Sequence, residues 1–437
     1  MKKPFIFILA LFLSGAVHAG GFDLNGLDLS GIKAAAADMP APAVSAPKAV
    51  RSKIKKEPVR EWTAMFFLNG KSDDIGARKG ILDYLGTIGD LDDVNIVVEW
   101  GFKEVKRYKV ANETLVDVTP AGISNDMGDY RSVTEFINWS KTNFPAKHYL
   151  FMLTGHGLGW MDPAKEEGGK AISFDTQAGS YISTPDLAKM FRDAGGVDVF
   201  VTDACLMQMA EVVYELKDSV PVVVASEQVV IFFPALPPDY ASVLKDMDSG
   251  GLSAEAVGRE FVGIFDDYQK VIEQAQTYSA VRTSRLPDLA SKLRVFSQSV
   301  KAANDTAAVN KALDGVLRFF STKHDDSAKD YSSYGDLYNF IELLSASTSD
   351  ANVKAAGQEA LAALRGVIIK SFGRGKDGNG DDFANAHGLT IELTRKVPGF
   401  SPHIATQYPD IPFARDSGWA DFVKWTDSVR AAAKNKM

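Results

Sequence analysis

Among 437 residues there is one cysteine, Cys205, and His156 stands 49 residues before it between Gly155 and Gly157. A thiol is a weak nucleophile until it becomes thiolate. Its free pKa is ~8.5, and a neighbouring imidazole or helix N-terminus lowers it. A cysteine set against a histidine can attack a carbonyl carbon while the imidazole handles the protons. The glycines beside His156 let the backbone turn sharply and let another chain approach. The backbone N–H groups of Gly157 and Cys205 are then candidates to hold an oxyanion. As the single cysteine, Cys205 cannot form an internal disulfide. A lone thiol is either a buried, inert small hydrophobe or a reactive group, and its neighbours decide between them.

Those neighbours lie at the ends of apolar runs. Residues 149–153 read as a strand ending at Thr154-Gly155-His156-Gly157, and 197–201 as a strand ending at Thr202-Asp203-Ala204-Cys205. Further strands are expected at 63–68, 94–99, 172–174 and 222–225, with a small hairpin from 107–110 and 115–118. Helices are expected at 75–88, 133–139, 184–193 (Thr184 as N-cap, Pro185 at the first position) and 206–216. Strands alternating with helices make a parallel sheet covered on both faces, with its site at the carboxyl ends of strands. Adjacent strands would set His156 beside Cys205. Cys205 would open helix 206–216, whose dipole favours the anion. Beyond about 241 the pattern is mostly helical, at 254–269, 287–302, 307–320, 336–344 and 353–371. A late strand at 389–393 either returns to the main sheet or belongs to a second unit.

Composition bounds the function. Hydrophobic residues make up 46% of the chain, enough for a sizeable core, and the net charge is -8 with both signs interspersed. A dedicated nucleic-acid binder would show a basic face, so nucleic acid is not an expected partner. Lys2 and Lys3 precede an apolar run at 5–13 and small residues to Ala19, with Val17 and Ala19 where a signal peptidase reads. This predicts a cleaved export signal over 1–19, and the run is too short for a bilayer span. Residues 20–60 are rich in Ala and Pro and then in basic residues, as in a linker or pro-segment. The expected organisation is thus 1–19 signal, 20–60 pro-segment or linker, 61–240 catalytic domain, and 241–437 a largely helical region. The expected compartment is periplasmic or extracellular, with no membrane anchor in the mature chain.

Asn125-Asp126-Met127-Gly128-Asp129, Phe136-Ile137-Asn138-Trp139, Phe144-Pro145-Ala146-Lys147-His148-Tyr149, Gly155-His156-Gly157-Leu158-Gly159-Trp160 and Asp203-Ala204-Cys205-Leu206-Met207 together resemble the clostripain family of cysteine peptidases. Weaker echoes extend the resemblance over about 60–430. The His-before-Cys order at this spacing is also that of caspase-type peptidases. The resemblance implies a caspase-like α/β fold, a Cys205–His156 dyad, and cleavage of protein or peptide substrates after Arg or Lys. A basic side chain needs a carboxylate partner when buried. Asp203 matches the position facing that pocket, and it could equally cap the following helix. The resemblance also implies self-processing between the His and the Cys. Lys170-Ala171 is the preferred bond and Lys165-Glu166 the other candidate.

One stretch departs from the family pattern. Ser226-Glu227-Gln228 leads into 229–238, which is apolar and lacks glycine where the family is Gly-rich. That puts the basic preference in question, and it leaves Glu227 as a candidate second acidic wall. The dyad chemistry requires no cofactor. Residues 377–382 resemble the start of a calcium loop, but Gly388 stands where the bidentate Glu belongs; the family resemblance still leaves calcium open, since some relatives depend on it. The other histidines, His148, His324, His387 and His403, lack metal-ligand spacing. Two other readings stay open: a catalytically inactive caspase-like binding protein, and a cysteine transferase or ligase using the same dyad.

Overall fold

The computed structural model describes residues 50–51, 57–72, 75–160, 172–233, 236–319, 333–376, 380–395 and 406–434. The expected signal, most of the expected pro-segment, and both residues of the Lys170-Ala171 bond lie outside them. Fourteen strands are numbered here among the described residues: β1 (Val50–Arg51), β2 (Arg60–Asn69), β3 (Val94–Gly101), β4 (Val105–Ala111), β5 (Thr114–Asp117), β6 (Ala146–Thr154), β7 (Ile172–Asp175), β8 (Ser180–Ile182), β9 (Val199–Thr202), β10 (Val222–Ala225), β11 (Gln276–Arg282), β12 (Tyr334–Asp336), β13 (Ile368–Arg374) and β14 (Thr390–Glu392). Ten form one sheet in the order β1-β5-β4-β3-β2-β6-β9-β10-β11-β13. Its centre, β3-β2-β6-β9-β10, is parallel; antiparallel pairings extend it on both sides, and one edge ends in the parallel β5–β1 pair.

The central strands are buried on both faces, so they read as continuous apolar runs and not as alternation. Side chains still alternate across the sheet. Met65, Phe67, Phe151, Leu153, Phe200 and Val223 enter one core, whereas Phe66, Leu68, Leu150, Met152, Val199 and Val224 enter the other. On the second face pack α1 (Ile75–Leu85) and, later in the chain, Tyr240–Asp248 and Ala254–Ile272. The first face is covered by α2 (Tyr130–Asn143), α3 (Thr184–Asp193), the short α4 (Ala210–Glu215) and most of the C-terminal helices. Helices α2 and α3 start where polar caps satisfy their first N–H groups. Asp129 accepts from Arg131, and Ser183 accepts from Asp186. The N-cap of α3 is therefore Ser183 and not the expected Thr184, which is already helical.

Three further expectations need correction. The helix expected over 206–216 begins only at Ala210, because Leu206 takes a left-handed backbone (φ 62°) that an α-helix cannot contain. The helix expected to reach 371 ends at Val367, and Ile368–Arg374 becomes β13, paired with β11. Neither β11 nor β13 stood out among helical neighbours, yet both extend the main sheet across the expected boundary at 240. The late strand is present as Thr390–Glu392, but it pairs with β12 in a separate two-stranded sheet. Among the described residues, no helix is long and apolar enough to cross a membrane.

Candidate active site

Strands β6 and β9 are parallel neighbours, with Leu153 paired to Thr202. His156 and Cys205 each lie three residues beyond that pair, so the register carries both to the same edge of the sheet. The two turns are locked together. A Cβ on Gly157 would come within 2.6 Å of the Cys205 carbonyl oxygen and 2.8 Å of the Ala204 Cβ. Only glycine lets the histidine turn lie this close to the cysteine turn. Thr202 Oγ1 donates to the Leu153 carbonyl (2.8 Å) and accepts from the Ala204 N–H (3.0 Å), stitching the same two ends.

His156 is half-buried. Its carbonyl accepts from the Ser173 N–H (3.2 Å), and its ring lies 6.3 Å from that of Phe174. Strand β7 thus backs the imidazole. Ser173 itself has a left-handed backbone (φ 54°) and is tied by its hydroxyl to the Met127 carbonyl. Asn69 at the end of β2 donates to the Phe174 carbonyl (2.8 Å).

Cys205 is in no disulfide, is 8% exposed, and is set among apolar side chains. No helix dipole acts on Cys205 as expected, because α4 starts five residues later and runs for only 6 residues. A different donor stands there instead: the Val230 N–H points at Sγ at 3.3 Å. A thiolate accepts such a bond better than a thiol does. This donor comes from the departing segment after β10. The Gln228 carbonyl accepts from the Leu206 N–H (3.3 Å) and the Ser226 carbonyl from the Gln208 N–H (3.0 Å), so that segment runs alongside the cysteine loop. Sequence reasoning passed over Val230 because a backbone amide has no side-chain signature.

The two acidic candidates are both buried, and they face different partners. Asp203 Oδ1 accepts from the Gly155 N–H (3.1 Å), and Oδ2 lies 3.3 Å from Arg78 Nη1, with both side chains almost fully enclosed. It caps no helix. Arg78 belongs to α1, and nothing in its sequence neighbourhood linked it to Asp203. Glu227 is held by the C-terminal half of the chain: its carboxylate accepts from the Gly388 N–H (2.9 Å) and is approached by Thr390 Oγ1 (3.4 Å). Burial, and then the nearby Asp336 carboxylate, push its pKa well above the ordinary value. Asp336 in turn caps the helix Leu337–Ser347 and accepts from the His387 N–H (2.6 Å).

A third buried acid lies below the cysteine loop. Glu211 on α4 accepts from Tyr408 Oη (2.7 Å) and from the Glu392 N–H (2.9 Å), and burial raises its pKa to about 7. Among the described residues no group of three or more His, Cys, Asp or Glu side chains could hold a metal ion.

The clostripain family model matches residues 77–425, most of the chain. The chain belongs to the clostripain family. Clostripain of Hathewaya histolytica is 22% identical over 341 residues, which cover 67% of this chain and 64% of that relative, so the chain spans about two thirds of its length. The same fold occurs in a secreted C11 cysteine protease of Bacteroides thetaiotaomicron bound to an irreversible peptide inhibitor. That likeness has a TM-score of 0.63 at 15% identity and covers 82% of this chain and 99% of that one. An inactive zymogen C11 protease of Parabacteroides distasonis has a TM-score of 0.62 at 16% identity, over 83% and 99% of the two chains. This clostripain-family chain therefore has the expected α/β fold, with a mainly parallel central sheet between helical layers.

Proposed function

We propose that this chain is an exported cysteine endopeptidase. Cys205 attacks the peptide carbonyl while His156 takes the thiol proton and passes it to the leaving amine. Water then hydrolyses the acyl-enzyme, with His156 as base, and returns the free thiol. The Gly157 and Cys205 N–H groups are the proposed oxyanion donors. The observation that carries this reading is the β6–β9 register, which brings the Gly-flanked histidine and the lone cysteine to one strand edge with their turns in contact.

The proposed preference is for Arg or Lys before the cut bond, with Asp203 as the receiving carboxylate. It is supported by the family, and by the position of Asp203 two residues before the nucleophile. Glu227 contributes indirectly in this reading, by seating the 226–230 segment that places the Val230 N–H on the sulfur. Export is supported by the signal-like residues 1–19 and by the description of one structural relative as secreted. Self-cleavage at Lys170-Ala171 is proposed on the family resemblance and on a relative described as a zymogen.

The test compares wild type with Cys205→Ala on fluorogenic peptides that differ only in the residue before the bond: Arg, Lys, Ala, Leu or Asp. The same samples are followed by mass for chain cleavage. Cleavage after Arg or Lys and slow conversion to two fragments are expected in wild type only. No turnover by wild type, even after limited proteolysis, would sink the peptidase reading in favour of a binding protein. A peptidyl product formed on an added amine would point to a transferase.

A further inference from the structure

Val230, whose N–H reaches Cys205 Sγ at 3.3 Å, lies in a stretch that continues past the end of β10. Ala225, the last residue of β10, pairs with Ser279 in antiparallel register, which leaves Gln276, Thr277 and Tyr278 of β11 to run on beside 226–228. There the fully buried Thr277 hydroxyl is shared among three consecutive residues. Its Oγ1 accepts from the Glu227 N–H (3.0 Å) and the Gln228 N–H (3.2 Å), and it lies 3.0 Å from Ser226 Oγ. A hydroxyl has two acceptor lone pairs and one proton. The two N–H groups take the lone pairs, so the Thr277 proton is left for Ser226 Oγ.

We infer that Thr277 is a positioning residue for the reaction: its hydroxyl gathers 226–228 and so fixes the Val230 amide on the Cys205 sulfur. This rests on Cys205 being the nucleophile, as proposed above. The stretch 226–233 carries no glycine, and it is held along both edges. The cysteine loop holds its carbonyls, with the Leu206 N–H on Gln228 and the Gln208 N–H on Ser226. Thr277 holds the amides of 227 and 228 from the other side. Beyond Val230, Gln276 Nε2 donates to the Ile231 carbonyl (2.8 Å) and the Phe233 N–H donates to Tyr268 Oη (2.8 Å). An N–H buried without its acceptor is costly, so without the Thr277 hydroxyl the stretch must turn to satisfy its amides elsewhere. Hydrogen bonds weaken steeply with misalignment, and a small turn takes the Val230 N–H off the sulfur. That bond favours the thiolate over the thiol, so losing it raises the pH at which Cys205 becomes reactive.

Cys205 is the single cysteine, so its alkylation by iodoacetamide, followed by intact mass across a pH series, reports this thiol alone. Wild type, Thr277→Val and Thr277→Ser are compared once circular dichroism and the unfolding midpoint show each to be folded. Thr277→Val keeps the shape and loses the hydroxyl. It should raise the pH midpoint of alkylation by about one unit and lower kcat about tenfold, with KM within about threefold. Thr277→Ser should bring the midpoint back to within about 0.3 units of wild type. A merely structural Thr277 would lower the unfolding midpoint and leave the pH profile of the folded protein unmoved, which overturns the inference.

Alkylation needs no substrate, so it separates this inference from the peptidase reading. A raised midpoint in Thr277→Val, in a protein whose wild type cleaves no peptide, would keep the role of Thr277 and sink the peptidase reading. Cleavage by wild type, with midpoint and kcat unchanged in Thr277→Val, would keep that reading and overturn the inference. Should Thr277→Val fail to fold, Thr277→Ala removes the same hydroxyl without setting a methyl against polar neighbours. The same rise is expected there, and an unmoved midpoint overturns the inference.

Discussion

Asp203 and Glu227 follow neighbouring parallel strands, β9 and β10, and both are buried at the same end of the sheet, yet their partners have opposite character. Asp203 faces Arg78 on the second face of the sheet. Glu227 faces another acid, Asp336, together with the Gly388 N–H and Thr390. The first arrangement keeps a charge inside the protein by pairing it. The second disfavours the charge, since burial and a like neighbour both push the carboxyl pKa up. Two acids that look equivalent as pocket walls therefore sit in environments of opposite sign, one beside a guanidinium and the other beside a carboxyl.

Breaking the first arrangement should have the largest effect. Asp203→Asn removes the carboxylate charge set against the buried Arg78 guanidinium, at a cost of about 3–5 kcal/mol. Adding Arg78→Met to Asp203→Asn should recover most of that loss, as a denaturant-unfolding cycle on the four proteins would show. Equal losses in the single and double variants would mean that the pair is not coupled.

Glu211 sharpens the contrast, for it is an acid whose hydrogen-bond partners are neither cation nor carboxylate. Its pKa, raised by burial from 4.5 to about 7, means the folded state holds the proton more tightly than the unfolded state. The associated stability is present in full below pH 4.5 and is lost as pH rises through about 7. The swing is on the order of 3 kcal/mol. Glu211→Gln should remove it, seen as a flatter dependence of the unfolding midpoint between pH 4.5 and pH 7 than in wild type. Parallel profiles would refute the assignment.

The smallest effect should come from Glu227→Gln. Burial and Asp336 both disfavour the charged form of Glu227, so replacing it with a neutral amide of nearly the same shape should cost less than about 1 kcal/mol. Peptide turnover should stay within about threefold, because the Val230 N–H remains on Cys205. A loss as large as that of Asp203→Asn would show that Glu227 is ionised after all.

Much of the site was legible because parallel strands declare themselves. Runs such as 149–153 and 197–201 are buried on both faces, so their residues are uniformly apolar, and the chemistry follows immediately after them. Glycine also left a trace, since Gly157 has to accept the Cys205 carbonyl at a distance that no Cβ permits. The helix expected over 206–216 was misread because its first residues, Leu206 to Glu211, are all good helix formers. Propensity gives no warning that Leu206 will turn left-handed when its N–H is drawn to Gln228. Strand β11 was passed over for a related reason: its short run becomes a strand by pairing with β10 and β13, both far away in sequence.

By itself, the sequence determined the alternation of strands and helices, the placing of Cys205 and His156 at strand ends, and the family. Local pattern is enough for these, because each depends on residues close together in the chain. The tertiary structure alone decided who faces whom. Arg78 reaches Asp203 across 125 positions, Val230 reaches Cys205 with a backbone group, and Asp336 faces Glu227 from the C-terminal half. A buried carboxylate takes its charge state from such neighbours and not from its own type, so no reading of Asp203 and Glu227 as letters could separate them.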